Sequence, residues 1–240
     1  MTTFSELLDN IVRGPSVSDE FGRHLAIDPC CETNKPDTYP TQAVVVTTAA
    51  RRLIEINKAG EKLKSVVLAG AEIDPMVNPE FREISENLRE LVNKHHPKAN
   101  LYLFCDGLHL DDPELRHSLV YFHKPIVDFE AGTQKTFAAL TGRKPAAFKE
   151  VVENINKLEL DKWILRARFV RGGIDNSGDS EVRAWIKYVA EFGPASVQVV
   201  TPAKANSANK TKPITKTRLE GIAAEVAEKT GLEVETLTTG

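Results

Sequence analysis

Hydrophobic positions along the chain follow two periods in alternation, one helical and one extended. Phe4, Leu7, Leu8 and Ile11 recur at helical spacing and predict a short amphipathic helix over 3–12, ended by Gly14-Pro15. Residues 24–28 form a short apolar run suited to a first core strand. Residues 29–40 carry Pro29, Pro36 and Pro40 with Asn34 and Asp37, and read as a loop. A helix is expected over 41–59, with Thr41 as its cap and Gly60 after its end. Inside it, Val44-Val45-Val46-Thr47-Thr48 is dominated by β-branched residues, which also suit an extended strand.

From residue 65 the rhythm is regular. A buried strand at 65–69 precedes an amphipathic helix at 79–94, with Phe81, Ile84, Leu88 and Leu91 on one face. A strand at 101–104 leads to a turn at Asp106-Gly107. Helices are then predicted at 112–121, 146–158, 179–191 and 216–229, and strands at 125–129, 163–170, 196–200 and 232–237. The Lys-rich stretch 204–212 reads as a loop, and Gly231 as a helix stop. Alternating strands and helices are the mark of a parallel α/β sheet. The pattern predicts roughly six βα units in a partial (β/α)6 TIM-like barrel, a parallel sheet with helices outside. One domain over 1–240, with a short N-terminal helix in 1–13, accommodates it.

Right-handed crossovers bring the C-terminal ends of the strands to one rim, where barrels of this kind place their sites. The expected rim holds Asp28, Cys30, Cys31, Gly70, Ala71 and Glu72 from the first two strands. Asp74, Cys105, Asp106, Asp128, Glu130, Arg171, Gly172 and Thr201 complete it. Composition narrows the function classes. With 41% hydrophobic and 27% charged residues, the 240-residue chain has a globular balance. A net charge of −3 gives no basic surface for nucleic acid. No apolar run reaches the roughly 20 residues of a membrane span, and residues 1–10 lack the features of a secretory signal. Three cysteines, Cys30, Cys31 and Cys105, do not make a disulfide framework. A cytoplasmic protein without nucleic-acid or membrane partners is expected.

Several segments together resemble the radical S-adenosylmethionine (radical SAM) oxidoreductases. Gly14-Pro15-Ser16-Val17-Ser18 through Phe21-Gly22-Arg23-His24-Leu25-Ala26-Ile27 is similar to the opening that precedes that family's cluster loop. Gly70-Ala71-Glu72, then Pro75 and Asn78-Pro79-Glu80-Phe81, resembles its Gly-Gly-Glu-Pro segment, whose backbone receives the amino group of the SAM methionine. Cys105-Asp106-Gly107 stands where the family has Thr-Asn-Gly. Val127-Asp128-Phe129-Glu130-Ala131-Gly132-Thr133 and 169–177 resemble the segments after two later strands. The resemblance implies the partial barrel and a SAM pocket near Gly70, Ala71, Glu72, Asp128, Glu130 and Thr201.

The departure lies in the cluster loop. The family holds a 4Fe–4S cluster on C-x3-C-x2-C, whereas the loop here is Pro29-Cys30-Cys31-Glu32-Thr33-Asn34-Lys35-Pro36, with two adjacent cysteines. Ile73-Asp74 is inserted in the Gly-Gly-Glu-Pro-like segment, and Ala71 replaces a glycine. These changes argue against the cluster and against reductive SAM cleavage. The residues leave alternatives open. Cys30, Cys31 and Cys105, with Asp28, Asp106 or His109, make a metal set or act as small buried apolar groups. The rim carboxylates hold a cation or cap helices. Arg166 and Arg168 share one strand face and pair with those acids or clamp a ligand. Three functions are compatible: a non-radical pseudoenzyme that binds a small molecule (SAM among the candidates) or a partner enzyme at the rim, a metal enzyme with a replaced site, or a divergent radical SAM enzyme using Cys30, Cys31 and Cys105.

Overall fold

The computed structural model describes residues 4–31, 38–71 and 73–239. The chain divides into two compact units, residues 1–105 with 112–125, and residues 106–111 with 126–240.

In the first unit, α1 (Phe4–Ile11) runs directly into β1 (Val12–Ser18), which pairs antiparallel with β2 (Gly22–Ile27). The sequence predicts a helix end and punctuation at Gly14-Pro15; instead these residues lie within an edge strand, where a proline without an N–H is tolerated. After β2 comes α2 (Gln42–Lys58), the expected helix despite its β-branched run. Thr41 occupies the N-cap position but its side chain makes no cap bond. Then follow β3 (Ser65–Leu68), α3 (Phe81–His95), β4 (Asn100–Cys105) and the short α4 (Pro113–Ser118). Strands β2, β3 and β4 are parallel neighbours. Their residues Leu25, Ile27, Val66, Leu68, Leu101 and Leu103 are fully buried, as are Val45, Ala49 and Leu53 of α2 and Phe81, Ile84 and Leu88 of α3. Burying such side chains stabilises by about 1.5–3 kcal/mol each.

The second unit takes up β5 (Lys124–Asp128) from Ile126 onward. It continues with α5 (Gln134–Thr141), α6 (Ala147–Ile155), β6 (Ile164–Arg168), β7 (Val170–Gly172) and α7 (Asp179–Phe192). It ends with β8 (Ser196–Pro202), β9 (Thr211–Pro213), α8 (Lys216–Thr230) and β10 (Glu233–Thr239). β5, β6, β8 and β10 are successive parallel neighbours, and β7 and β9 form a small antiparallel ribbon. The ribbon and α5 are not predicted by the hydrophobic pattern. Gly193 and Gly231 close α7 and α8 in the left-handed region, as glycine readily does. Thr215 caps α8 by accepting the Arg218 N–H. Parallel strands linked by helices make the fold class α/β, consistent with a partial TIM-like barrel. Among the described residues no helix is long and apolar enough to cross a membrane.

Candidate functional site

The first group of residues gathers where β2 and β3 end. Asp28, 3% exposed, follows β2 directly. Its Oδ1 accepts the Cys30 N–H at 3.0 Å and its Oδ2 accepts the Ala71 N–H at 2.9 Å. One carboxylate thereby joins the loop after β2 to the loop after β3. Gly70 is crowded from the other side, because a Cβ there would lie 1.7 Å from the Ile73 carbonyl oxygen. Ala71 is exposed, and Glu72 lies outside the described residues. Asn78, 2% exposed, donates to the carbonyls of Pro29 and Pro40 at 2.7 and 3.0 Å and so ties together the two ends of the Pro-rich loop.

The three cysteines are all buried and form no disulfide. Burial, followed by the negative charge of Asp28, pushes the Cys30 thiol up to about 12. The same two causes push Cys31 up to about 11, against the opposing charge of Arg13. Both are therefore thiols at neutral pH. The Cys30 Sγ faces the carbonyl oxygens of Asp74 and Pro75 at 3.6 and 3.7 Å, contacts that suit an S–H donor and repel a thiolate. Cluster and zinc ligands are thiolates, held where positive charge lowers their pKa. Cys105 ends β4 and is 3% exposed. Among the described residues no group of three or more His, Cys, Asp or Glu side chains is placed to hold a metal ion. Among the described residues the donor set lacks the three grouped thiols that a 4Fe–4S cluster takes.

The second group belongs to the other unit. Asp128 closes β5 opposite Arg166 of β6, and Glu130 follows two residues on. Burial first, then the charge of Glu130, pushes the Asp128 carboxyl up to about 7, with Arg166 and Arg168 opposing. Burial also raises Glu130, against the pull of Arg168, whose Nε lies 3.3 Å from its Oε1. Asp106 contributes to the same field and is itself paired with Arg143 at 2.5 Å. A carboxyl titrating near neutrality beside a second carboxyl and guanidiniums can exchange a proton and can face a polar ligand with either sign of charge.

The surrounding backbone is fixed by side chains outside the predicted rim. Asn176, fully buried, accepts the Val170 N–H at 2.8 Å and donates to the Glu130 and Arg168 carbonyls, each at 2.8 Å. Glu181 accepts the N–H groups of Gly132 and Thr133, and Trp185 donates to the Phe129 carbonyl. Asn176 lies in the 169–177 segment that carries the family resemblance, the one signal that marked it; Arg143 had none. Thr201 is 4% exposed; its hydroxyl donates to the Phe169 carbonyl and accepts the Ile214 N–H, each at 3.0 Å.

No family model matches the chain, and no curated protein matches it. Among solved structures 46 chains match. One is a domain of pyruvate-formate lyase-activating enzyme from Bacteroides vulgatus, with a TM-score of 0.54 at 12% identity, covering 71% of this chain and 97% of that one. That likeness is one of fold, and it fits the partial barrel expected from the sequence.

Proposed function

We propose that the chain is a non-radical protein built on the radical-SAM-like fold. In this reading it binds a small polar molecule at the ends of β5 and β6 instead of cleaving SAM on an iron–sulfur cluster. The observation that carries the reading is the Asp28 carboxylate, which takes the Cys30 and Ala71 N–H groups for itself. Those two loops are the ones that hold cluster and SAM in the family that the sequence resembles. The high thiol pKa values of Cys30 and Cys31 support the same conclusion. Among the described residues no three His, Cys, Asp or Glu side chains are grouped to hold a metal, which weighs against the alternative in which Cys30, Cys31 and Cys105 ligate one.

Asp128, Glu130, Arg166 and Arg168 supply the binding half of the reading, since they offer both signs of charge on adjacent strands. SAM, which carries ammonium, carboxylate and sulfonium groups, is the first ligand to test. Three cysteines without a disulfide suit a reducing compartment such as the cytoplasm. The experiment is iron and sulfide loading under anaerobic conditions, followed by calorimetry with SAM on the wild type and on Asp128→Asn. The reading expects no cluster, and SAM binding that weakens in the variant. Cluster loading with 5′-deoxyadenosine release contradicts it.

A further inference from the structure

The β-branched run in α2 has a use that neither the core nor the proposed site accounts for. Val45, Ala49, Leu53 and Ile56 form the buried stripe of that helix. Val44, Thr47 and Thr48 instead line a cavity of about 850 Å³ within the first unit, facing Leu8 of α1 and Val12 of β1. Small-molecule pockets measure about 300–1,000 Å³. β-branched side chains are stiff at χ1 in a helix, so this wall is held in shape. The Thr48 hydroxyl donates to the Val44 carbonyl at 2.7 Å and is satisfied within the helix.

The rim of the cavity is charged and its charges do not balance. Three guanidiniums, Arg13, Arg51 and Arg52, meet two carboxylates, Asp9 and Glu55. Glu55 is engaged by both Arg51 and Arg52, at 3.0 and 3.3 Å. Arg52 also donates through Nε and Nη2 to the Gly14 carbonyl, at 3.2 and 2.9 Å, which fastens the β1 wall to α2. Arg13 is exposed and makes no hydrogen bond or ion pair among the described residues.

We propose that this cavity binds a small organic anion with an apolar body, its hydrocarbon part against Val44, Thr47 and Val12 and its carboxylate on Arg13. A medium-chain monocarboxylate is the simplest ligand of that class. None of the lining residues belongs to the Asp128 cluster or the cysteine loop, although the charge of Arg13 also reaches Cys31; the ligand and its contacts differ from those of the proposed function, so the two are tested separately.

The test is calorimetry with sodium octanoate below its micelle concentration, with octanol as the neutral comparison. Saturable one-site binding of octanoate is expected, at least tenfold tighter than octanol. Arg13→Gln is expected to weaken it about tenfold or more, the size of one charge-assisted hydrogen bond. Thr47→Trp, at an exposed position, fills the cavity and is expected to abolish binding while the thermal midpoint stays near the wild-type value. Val44→Trp provides a second filling variant if Thr47→Trp unfolds. No saturable heat, equal binding of octanol, or octanoate binding unchanged in Arg13→Gln and in the folded filling variant overturns the proposal.

Discussion

Removing the Asp28 carboxylate separates the two loops it joins, and the size of the effect follows from where its hydrogen bonds lie. The Cys30 N–H that it accepts is buried, so its loss leaves a donor without water, worth about 2 kcal/mol. Ala71 is exposed, so water replaces much of the second bond, worth about 1 kcal/mol. Asp28→Ala is therefore expected to destabilise by about 3 kcal/mol, a midpoint drop of roughly 6–12 °C for a chain of this size. Asp28→Asn keeps one acceptor oxygen and should lose about half as much. A second readout is independent of stability. The Asp28 charge is the second-largest cause, after burial, of the high Cys30 and Cys31 pKa values. Its removal should lower both thiol titrations and speed their reaction with a disulfide reagent at a fixed pH under native conditions. Denaturant unfolding and thiol titration on one preparation give both numbers. A loss below 1 kcal/mol together with unchanged thiol titration would refute the assignment of Asp28 as the tie between the loops.

Other perturbations test other parts of the account. The Asp128 carboxyl is raised from 3.8 to about 7, so the folded state holds its proton more tightly and this group's contribution to stability falls as pH rises from about 4 to 7. Asp128→Asn should flatten that slope and gain on the order of 1–3 kcal/mol at pH 8, with no gain at pH 4; parallel wild-type and variant curves from pH 4 to 8 would contradict it. His123 has its pKa lowered by burial and by Arg89, so its contribution is present above about pH 6.5 and is lost as pH falls below that; His123→Gln should show less acid destabilisation in the same titration. Asn176→Ala breaks one buried and two part-buried hydrogen bonds and is expected to destabilise by about 2–4 kcal/mol, measured by urea unfolding, whereas a loss under 1 kcal/mol would show that water replaces them. Gly132→Ala puts a Cβ 2.5 Å from the Glu181 carbonyl and the Trp185 nitrogen, both backbone atoms of α7; a loss of about 1–3 kcal/mol is expected, and an unchanged midpoint would refute the close approach.

The βα rhythm was legible because buried parallel strands such as β3 and β8 are nearly continuous apolar runs, while α3 and α7 carry one clear apolar face. Four elements were not. β1 is a half-exposed edge strand containing Gly14-Pro15, so it lacks both a buried run and a clean alternation. α5 buries only Phe137 among its residues, too little to make a stripe, and β7 and β9 have three residues each. At the candidate site, the sequence put Asp128 and Glu130 on the strand end and Arg166 and Arg168 on one face, and the structure pairs Arg168 with Glu130. It did not reveal that Asp28 reaches Ala71, or that Asn176 holds the Glu130 carbonyl. These bonds join residues 43 and 46 positions apart, and no local pattern encodes such partners.

The central claim is that this fold works here without the radical cluster. The most direct measurement is iron and sulfide counting, with the visible absorbance spectrum, after anaerobic reconstitution of the wild-type protein and of a variant with all three cysteines replaced by alanine. The account predicts that the two proteins take up equally little iron and show no charge-transfer band. About four irons per wild-type chain, absent from the variant and accompanied by 5′-deoxyadenosine release from SAM, would contradict it.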